Sequence, residues 1–345
     1  MEQLNTPTFT LKEADQLISE SDYSSIFILV DSNTHQHCLP LLQRSCPSLR
    51  DVEVLEVEPG EAQKDIEIVA GLWQAMLELG ADRNTLLVCL GGGVITDLGG
   101  FIASTFKRGI DFLLIPTSVL AMVDAAIGGK TGINLGGSKN QVGTFCVGRG
   151  IVHHPPFLET LPERELKAGY AEMLKHALLD SQETLDRLLK HPVIGLELIM
   201  MESKNSQELK ARVVAEDPKE EGLRKTLNLG HTAGHAIEAL TQSSENSLNH
   251  GECVALGMQI ALKLSSKHCG LEAEIAEKVV EHIAANFPPM PQLDEDALWK
   301  RMLEDKKNQS GKVLFVLLDS IGQAKWGIEV SRDQFFEVYR ELLSR

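Results

Sequence analysis

Over the first 150 positions apolar or β-branched residues come in short runs: 26–31 (IFILVD), 52–57 (VEVLEV), 86–90 (LLVCL) and 112–115 (FLLI). Helical periodicity fills several of the gaps between them, most clearly over 65–79. Strands that read as continuous apolar segments and alternate with helices predict a parallel sheet covered by helices. Beyond about residue 161 the pattern changes to long amphipathic helices, interrupted by the polar stretch 216–222 (EDPKEEG), a proline-rich connector at 288–291 and one short strand signal at 313–318. With roughly 150 residues per domain as a prior, the 345 residues divide into an α/β domain over 1–160 and a mainly helical domain over 161–345. There is no internal repeat and no low-complexity tail.

Composition narrows the function classes. The hydrophobic fraction of 43% suffices for a sizeable core. A formal charge of -16 disfavours nucleic acid and anionic membranes as partners, since both need a basic surface, but it leaves a small anionic substrate open. The longest apolar stretch, 112–123, is broken by Pro116, Thr117 and Ser118, so no membrane span is expected. The opening MEQLNTPTFT lacks a basic segment followed by an apolar one, so no signal peptide is expected. Six cysteines without close pairing suit buried thiols in a reducing compartment, and the cytoplasm is the expected location.

Three segments carry candidate chemistry. GGGVITDLGG, 91–100, follows the third apolar run and leads into a helix. Glycines there either let backbone N–H groups approach a phosphate at the helix start, with Asp97 as a possible ligand contact, or permit close helix-to-strand packing. The segment 115–145 holds six glycines, Lys130, Lys139, Thr117, Ser118, Thr131, Asp124, Asn134 and Asn140, and reads as a long polar loop able to handle phosphate. Its GGKT lacks the earlier spaced glycine of a P-loop ATPase. The third signal is His231 and His235, four apart in LNLGHTAGHAIE, followed by His250 in HGECVALGM. Residues i and i+4 share a helix face, and the adjacent Gly230, Gly234 and Gly251 suggest room for a ligand. A catalytic zinc needs three protein ligands, so a carboxylate or the third imidazole must complete the set. Glu172, on a helix whose buried stripe includes Leu166, Tyr170, Met173, Leu174, Ala177 and Leu178, is the best carboxylate; taken alone, it reads as half of a solvated pair with Lys175.

Taken together and in this order, GGGVITD, IPTSVLAMVDAAIGGKTGIN, GSKNQVGTF, LPERELKAGYAEMLKHALL, LNLGHTAGHAIE and HGECVALGM resemble the 3-dehydroquinate synthases, zinc- and NAD-dependent sugar-phosphate cyclases of the shikimate pathway. The match runs over residues 31–307. It implies a Rossmann-like NAD-binding domain followed by a helical metal- and substrate-binding domain. By the same resemblance Glu172, His231 and His250 are the metal ligands for Zn2+ or Co2+, and His235 turns to substrate. NAD contacts fall on Asp31, Glu61, Lys64, Gly91, Gly92, Gly93, Asp97, Thr117, Ser118, Lys130, Lys139, Phe157 and Thr160. Substrate contacts fall on Asp124, Lys130, Asn140, Lys175, Lys210, Arg224, Asn228 and His235, with Arg108 reaching across a homodimer interface and Lys306 or Lys307 closing the pocket.

The activity implied is a carbon–oxygen lyase reaction. It converts 3-deoxy-D-arabino-heptulosonate 7-phosphate to 3-dehydroquinate through transient oxidation by NAD, phosphate elimination, re-reduction and an intramolecular aldol closure. Lys210 and Arg224 are the expected carboxylate contacts, and Lys130, Asn140, Asn228 and His235 those near the phosphate. The chain departs from the family pattern at Thr96, at a leucine in LNLGHT and at Ser118. Other readings are a valiolone-type cyclase, which would leave the Lys210–Arg224 pair without a carboxylate, a metal-dependent polyol dehydrogenase, and an inactive NAD-binding protein.

Overall fold

Three of the four runs lie inside a six-stranded sheet, and the fourth, 52–57, forms one of its edges. In the computed structural model, which describes residues 6–136, 138–242, 247–304 and 312–345, the strands are β1 (Thr8–Phe9), β2 (Ser25–Asp31), β3 (Glu53–Val57), β4 (Thr85–Gly91), β5 (Asp111–Pro116), β6 (Lys130–Leu135), β7 (Ser138–Phe145), β8 (Gly150–Val152), β9 (Leu314–Ser320) and β10 (Gln323–Glu329). The main sheet has the order β1-β8-β5-β4-β2-β3, and every neighbouring pair in it is parallel. All seven residues of β4 are buried. Successive β4 side chains alternate between two cores: Leu87 and Cys89 join the cluster on one face, while Leu86, Val88 and Leu90 join that on the other. A strand buried on both faces is continuous in hydrophobicity, which is why these runs are visible in sequence.

From β2 the chain crosses to β3 on one side of the sheet, and β4 pairs on the other side of β2. This reversal places the carboxyl ends of β2 and β4, at Asp31 and Gly91, beside a topological switch point, where ligands bind in open parallel sheets. The segment 115–145 is not the open loop its composition predicts. It contains a π-helical turn, Ala121–Ala125, and the antiparallel hairpin of β6 and β7, with Thr131 opposite Thr144 and Ile133 opposite Val142. Thr131 and Ile133 are buried in the sheet's packing layer, and two inward positions amid glycines and polar residues are too few to show as a strand period.

Two compact units divide the chain, Met1–Pro162 with Ser203–Pro218, and Glu163–Glu202 with Lys219–Arg345. The sequence reading cuts the chain once, after residue 160; the structure also returns the second part of the helix Leu196–Glu216 to the first unit, where Ala211 packs on the sheet's core. The second unit is built around the helix His250–His268, buried almost without interruption from Gly251 to Ser265. A helix apolar on all sides must be central. It is contacted by the helices Glu163–Asp180, His231–Thr241, Ala273–Asn286 and Arg332–Leu343 and by β9. Among the described residues no helix is long and apolar enough to cross a membrane.

Candidate active site

In the first unit several candidates lie just beyond the strand ends. Asp31 closes β2, and its Oδ1 accepts the Thr34 N–H (2.8 Å), capping the helix Ser32–His37. Thr117 follows β5, is buried, and donates its N–H to the Gly91 carbonyl (3.0 Å); Ser118 Oγ accepts the Ala121 N–H at 3.2 Å. Gly92 caps the helix Gly93–Thr105. A Cβ at Gly92 would come no closer than 3.4 Å to Ser118 Oγ, and one at Gly93 no closer than 3.5 Å to Ala125 Cβ, so packing inside the protein does not demand glycine at either. At Gly99 it does, because a Cβ would meet Cys89 Sγ at 2.3 Å. The packing reading of the glycine-rich turn therefore holds at Gly99, whereas at Gly92 and Gly93, where the helix begins, packing inside the protein makes no such demand.

Beside this turn Lys64, 3% exposed, donates from Nζ to Asp97 Oδ2 (2.7 Å) and to Asn140 Oδ1, with Glu61 Oε1 3.6 Å away. Burial pushes the Asp97 carboxyl up, and Lys64 pulls it back. Asn140 holds a left-handed φ of 52°, a conformation that costs a non-glycine residue about 1 kcal/mol. Asp124 sits on the π-helical turn, a distortion frequent at functional sites. Its Oδ1 and its carbonyl both accept from Lys210 Nζ, at 2.8 and 2.6 Å. Lys130 and Lys139 are exposed on the hairpin. Phe157 is a core side chain, so only its backbone is offered to a ligand; Thr160 ends the same turn, exposed. Arg108 is exposed with φ 73°, between Lys107 at 52° and Gly109 at 114°.

In the second unit the three expected metal ligands converge. Glu172 comes from the middle of the helix Glu163–Asp180, while His231 and His250 are each the first residue of their own helix. One donor atom from each lies within 4.8 Å of the other two, and both Nε2 atoms are 3.6 Å from Glu172 Oε1. A tetrahedral ion with bonds of about 2.0 Å spaces its ligand atoms by roughly 3.3 Å, so the set fits a small divalent metal. The outer nitrogens are committed: His231 Nδ1 lies 3.1 Å from the Leu229 carbonyl and His250 Nδ1 3.2 Å from Glu238 Oε2, which turns Nε2 inward on both rings. Burial disfavours a charged His250, but Glu172 and Glu238 on its two nitrogens outweigh that and raise its pKa to about 9. The centre is thus arranged to hold positive charge. His235 stands beside it, its ring 5.2 Å from His231 and 6.0 Å from His250, but it is not part of the converging set.

Glu172 and Lys175 form an ion pair, yet neither is solvated: they are 0% and 1% exposed. An i,i+3 pair at the surface and one in the interior have the same spacing, so only tertiary packing reveals the difference. Arg224 is also buried, and Asn228 Nδ2 donates to Glu220 Oε1 at 2.7 Å. Lys210 and Arg224 belong to different units, and Lys306 and Lys307 lie outside the described residues. The glycines beside the histidines serve the protein rather than a ligand. A Cβ at Gly251 would lie 2.1 Å from the Ala168 carbonyl oxygen, and one at Gly257 1.9 Å from that of Gly230. Close helix crossings at these two points bring Glu172, His231 and His250 to one place. Sequence reading missed Glu238 as the partner of His250, and Arg164, whose Nε and Nη2 donate to the Glu252 carboxylate at 2.7 and 2.6 Å, tying the Glu172 helix to the His250 helix.

Comparison with known proteins agrees with this geometry. Residues 54–168 match the family model of the 3-dehydroquinate synthase N-terminal domain, and residues 169–308 that of the C-terminal domain. The 3-dehydroquinate synthase of Parabacteroides distasonis is 40% identical over 336 residues, 95% of each chain. Among solved structures, 2-epi-5-epi-valiolone synthase from Streptomyces hygroscopicus, with NAD+ and Zn2+ bound, shares the fold at a TM-score of 0.86 and 24% identity, covering 100% of this chain and 98% of that one. So does 2-deoxy-scyllo-inosose synthase complexed with carbaglucose-6-phosphate, NAD+ and Co2+, at a TM-score of 0.85, 24% identity and coverage of 97% and 96%. With a fold shared among cyclases, a converging glutamate and two histidines, and matches spanning both units, the chain belongs to the 3-dehydroquinate synthase family.

Proposed function

We propose that this chain converts 3-deoxy-D-arabino-heptulosonate 7-phosphate to 3-dehydroquinate and phosphate, acting as a carbon–oxygen lyase in the cytoplasm and as a homodimer. The observation that carries the reading is the convergence of Glu172, His231 and His250, a donor set suited to zinc or cobalt. When bound, the metal supplies Lewis-acid polarisation of a substrate oxygen and NAD a hydride acceptor that is restored in each turnover. The metal and NAD+ in the two structural neighbours support this assignment.

The chain's own residues supply recognition and charge. On this reading Asp31, Glu61, Lys64, Gly91 to Gly93, Asp97, Thr117, Ser118, Lys139, Phe157 and Thr160 hold the cofactor. Lys210 and Arg224 bind the substrate carboxylate, and Lys130, Asn140, Asn228 and His235 offset the phosphate charge as it leaves. Asp124 holds Lys210 by two hydrogen bonds. Lys175 pairs with Glu172 in a buried position, where an unpaired carboxylate would be costly. Arg108, extended from an exposed left-handed turn, reaches a second copy, and Lys306 or Lys307 completes the pocket. The substrate's own phosphate serves as base, so no protein general base is required.

Purified protein supplied with zinc, NAD and the heptulosonate phosphate tests this. Phosphate release with a carbocyclic product and no net NADH is expected. Stoichiometric NADH would make the chain a dehydrogenase, and turnover of sedoheptulose 7-phosphate alone would make it a valiolone-type cyclase.

A further inference from the structure

Asn134, on β6, is one of the polar residues of the segment 115–145 for which neither the resemblance nor the proposed reaction provides a role. Both ends of its side-chain amide are in use. Oδ1 accepts the Asn140 N–H at 2.8 Å, and Nδ2 donates to Glu61 Oε1 at 3.0 Å. Its own N–H donates to the Lys64 carbonyl at 2.7 Å. Asn140 and Glu61 are thereby held by one amide, and each also meets the buried Lys64 ammonium.

Two features make this more than local packing. Asn140 has φ 52°, so its backbone N–H needs a fixed acceptor to keep an unfavourable conformation, and Asn134 Oδ1 is that acceptor. Glu61 is half-buried, and its carboxylate is met by the Asn134 amide and the Lys64 ammonium, which set its direction. An amide is the one small group that offers an acceptor to an N–H and a donor to a carboxylate from the same planar end.

We infer that Asn134 is a positioning residue that couples the cofactor side of the site, through Glu61 and Lys64, to the substrate side, through Asn140. The inference rests on the proposed roles of those three residues. It requires that loss of one amide weaken two ligands at once, whereas loss of only its donor weaken one.

The test uses the whole zinc-loaded protein and compares Asn134→Ala with the isosteric Asn134→Asp. NAD binding is measured directly on substrate-free protein, and KM for the heptulosonate phosphate at saturating NAD. Asn134→Ala is expected to weaken NAD and raise KM each by about tenfold, the loss of one hydrogen bond to a charged or strained partner. Asn134→Asp keeps the acceptor for Asn140 but sets a carboxylate against Glu61, so NAD is expected to weaken by about tenfold while KM stays within about threefold. A melting-temperature change in both variants with NAD affinity and KM as in the unaltered protein would overturn the inference, as would equal effects of the two variants on KM. Should the unaltered protein bind NAD but release no phosphate, the proposed reaction fails while the NAD comparison still decides the role of Asn134. If Asn134→Ala does not fold, Asn134→Leu, which keeps the shape of the side chain and loses both of its hydrogen bonds, takes its place with the same expected and overturning results.

Discussion

Glycines recur beside candidate residues in both units, and they do opposite things. At Gly92 and Gly93 the surrounding protein would accept a methyl group at 3.4 and 3.5 Å; what glycine provides there is access to the start of a helix from outside. At Gly251 and Gly257 a methyl group would run into carbonyl oxygens at 2.1 and 1.9 Å; what glycine provides there is passage for another helix. The same residue type thus leaves space at a helix start in the α/β unit and excludes everything but backbone in the helical one. A glycine-rich motif in a sequence tells that something approaches closely, and only the three-dimensional neighbours tell what.

Substitutions can break this contrast. The largest effect is expected from Glu172→Ala, which removes the residue the helix crossings exist to present: metal affinity should fall more than about 100-fold, beyond the cost of losing an outer-shell partner, with activity lost alongside. Metal content equal to that of the unaltered protein, by atomic absorption, would take Glu172 out of the ligand set. Next is Gly251→Ala, whose new methyl meets rigid backbone; unfolding should become easier by about 3 kcal/mol, read from denaturant midpoints, and zinc should bind more weakly as the two helices part. Gly93→Ala should separate the two kinds of glycine most clearly. Its melting temperature should stay the same or rise slightly, since alanine suits a helix, while NAD affinity drops about tenfold, the cost of one charged contact. A fall in stability without a change in NAD binding would place Gly93 with the packing glycines.

The smallest expected effect is confined to the helical unit and to acid. Arg345 and then Lys263, against the opposing effect of burial, hold the Glu277 carboxyl down at about 2. A depressed acid contributes stability that is complete above its unfolded value, near 4.5, and fades as pH falls toward 2. The side chain is 35% exposed, so screening limits the contribution to about 0.5 kcal/mol. Glu277→Gln should therefore melt slightly lower at pH 7 and together with the unaltered protein at pH 2. A gap that persists in acid would mean that packing, not charge, accounts for it.

The strands were legible where burial on both faces made hydrophobicity continuous, as in LLVCL, and the helix through Glu172 was legible from its apolar stripe. The hairpin of β6 and β7 was not, because Thr131 and Ile133 alternate with glycine and lysine and give no recognisable period. At the candidate metal site, the spacing of His231 and His235 is the local signal, whereas the group that converges is Glu172, His231 and His250. The partner that does converge, His250, opens a different helix, and no local pattern encodes a meeting between helix starts. Glu172 was legible as the best carboxylate candidate, but its burial was not: a carboxylate three residues before a lysine looks like surface decoration until the surrounding helices enclose it.

The helix Leu196–Glu216 has a bearing on how such a polypeptide can be divided. Because residues 203–218 count with the sheet-bearing unit, that unit is assembled from two stretches of sequence separated by forty residues of the other. Expressing residues 1–162 by themselves would leave out Lys210, the donor to Asp124, and Ala211, a part of the core's lining. Gene fission at the apparent boundary would therefore give an amino-terminal fragment that lacks part of its own core lining and both hydrogen bonds from Lys210 to Asp124.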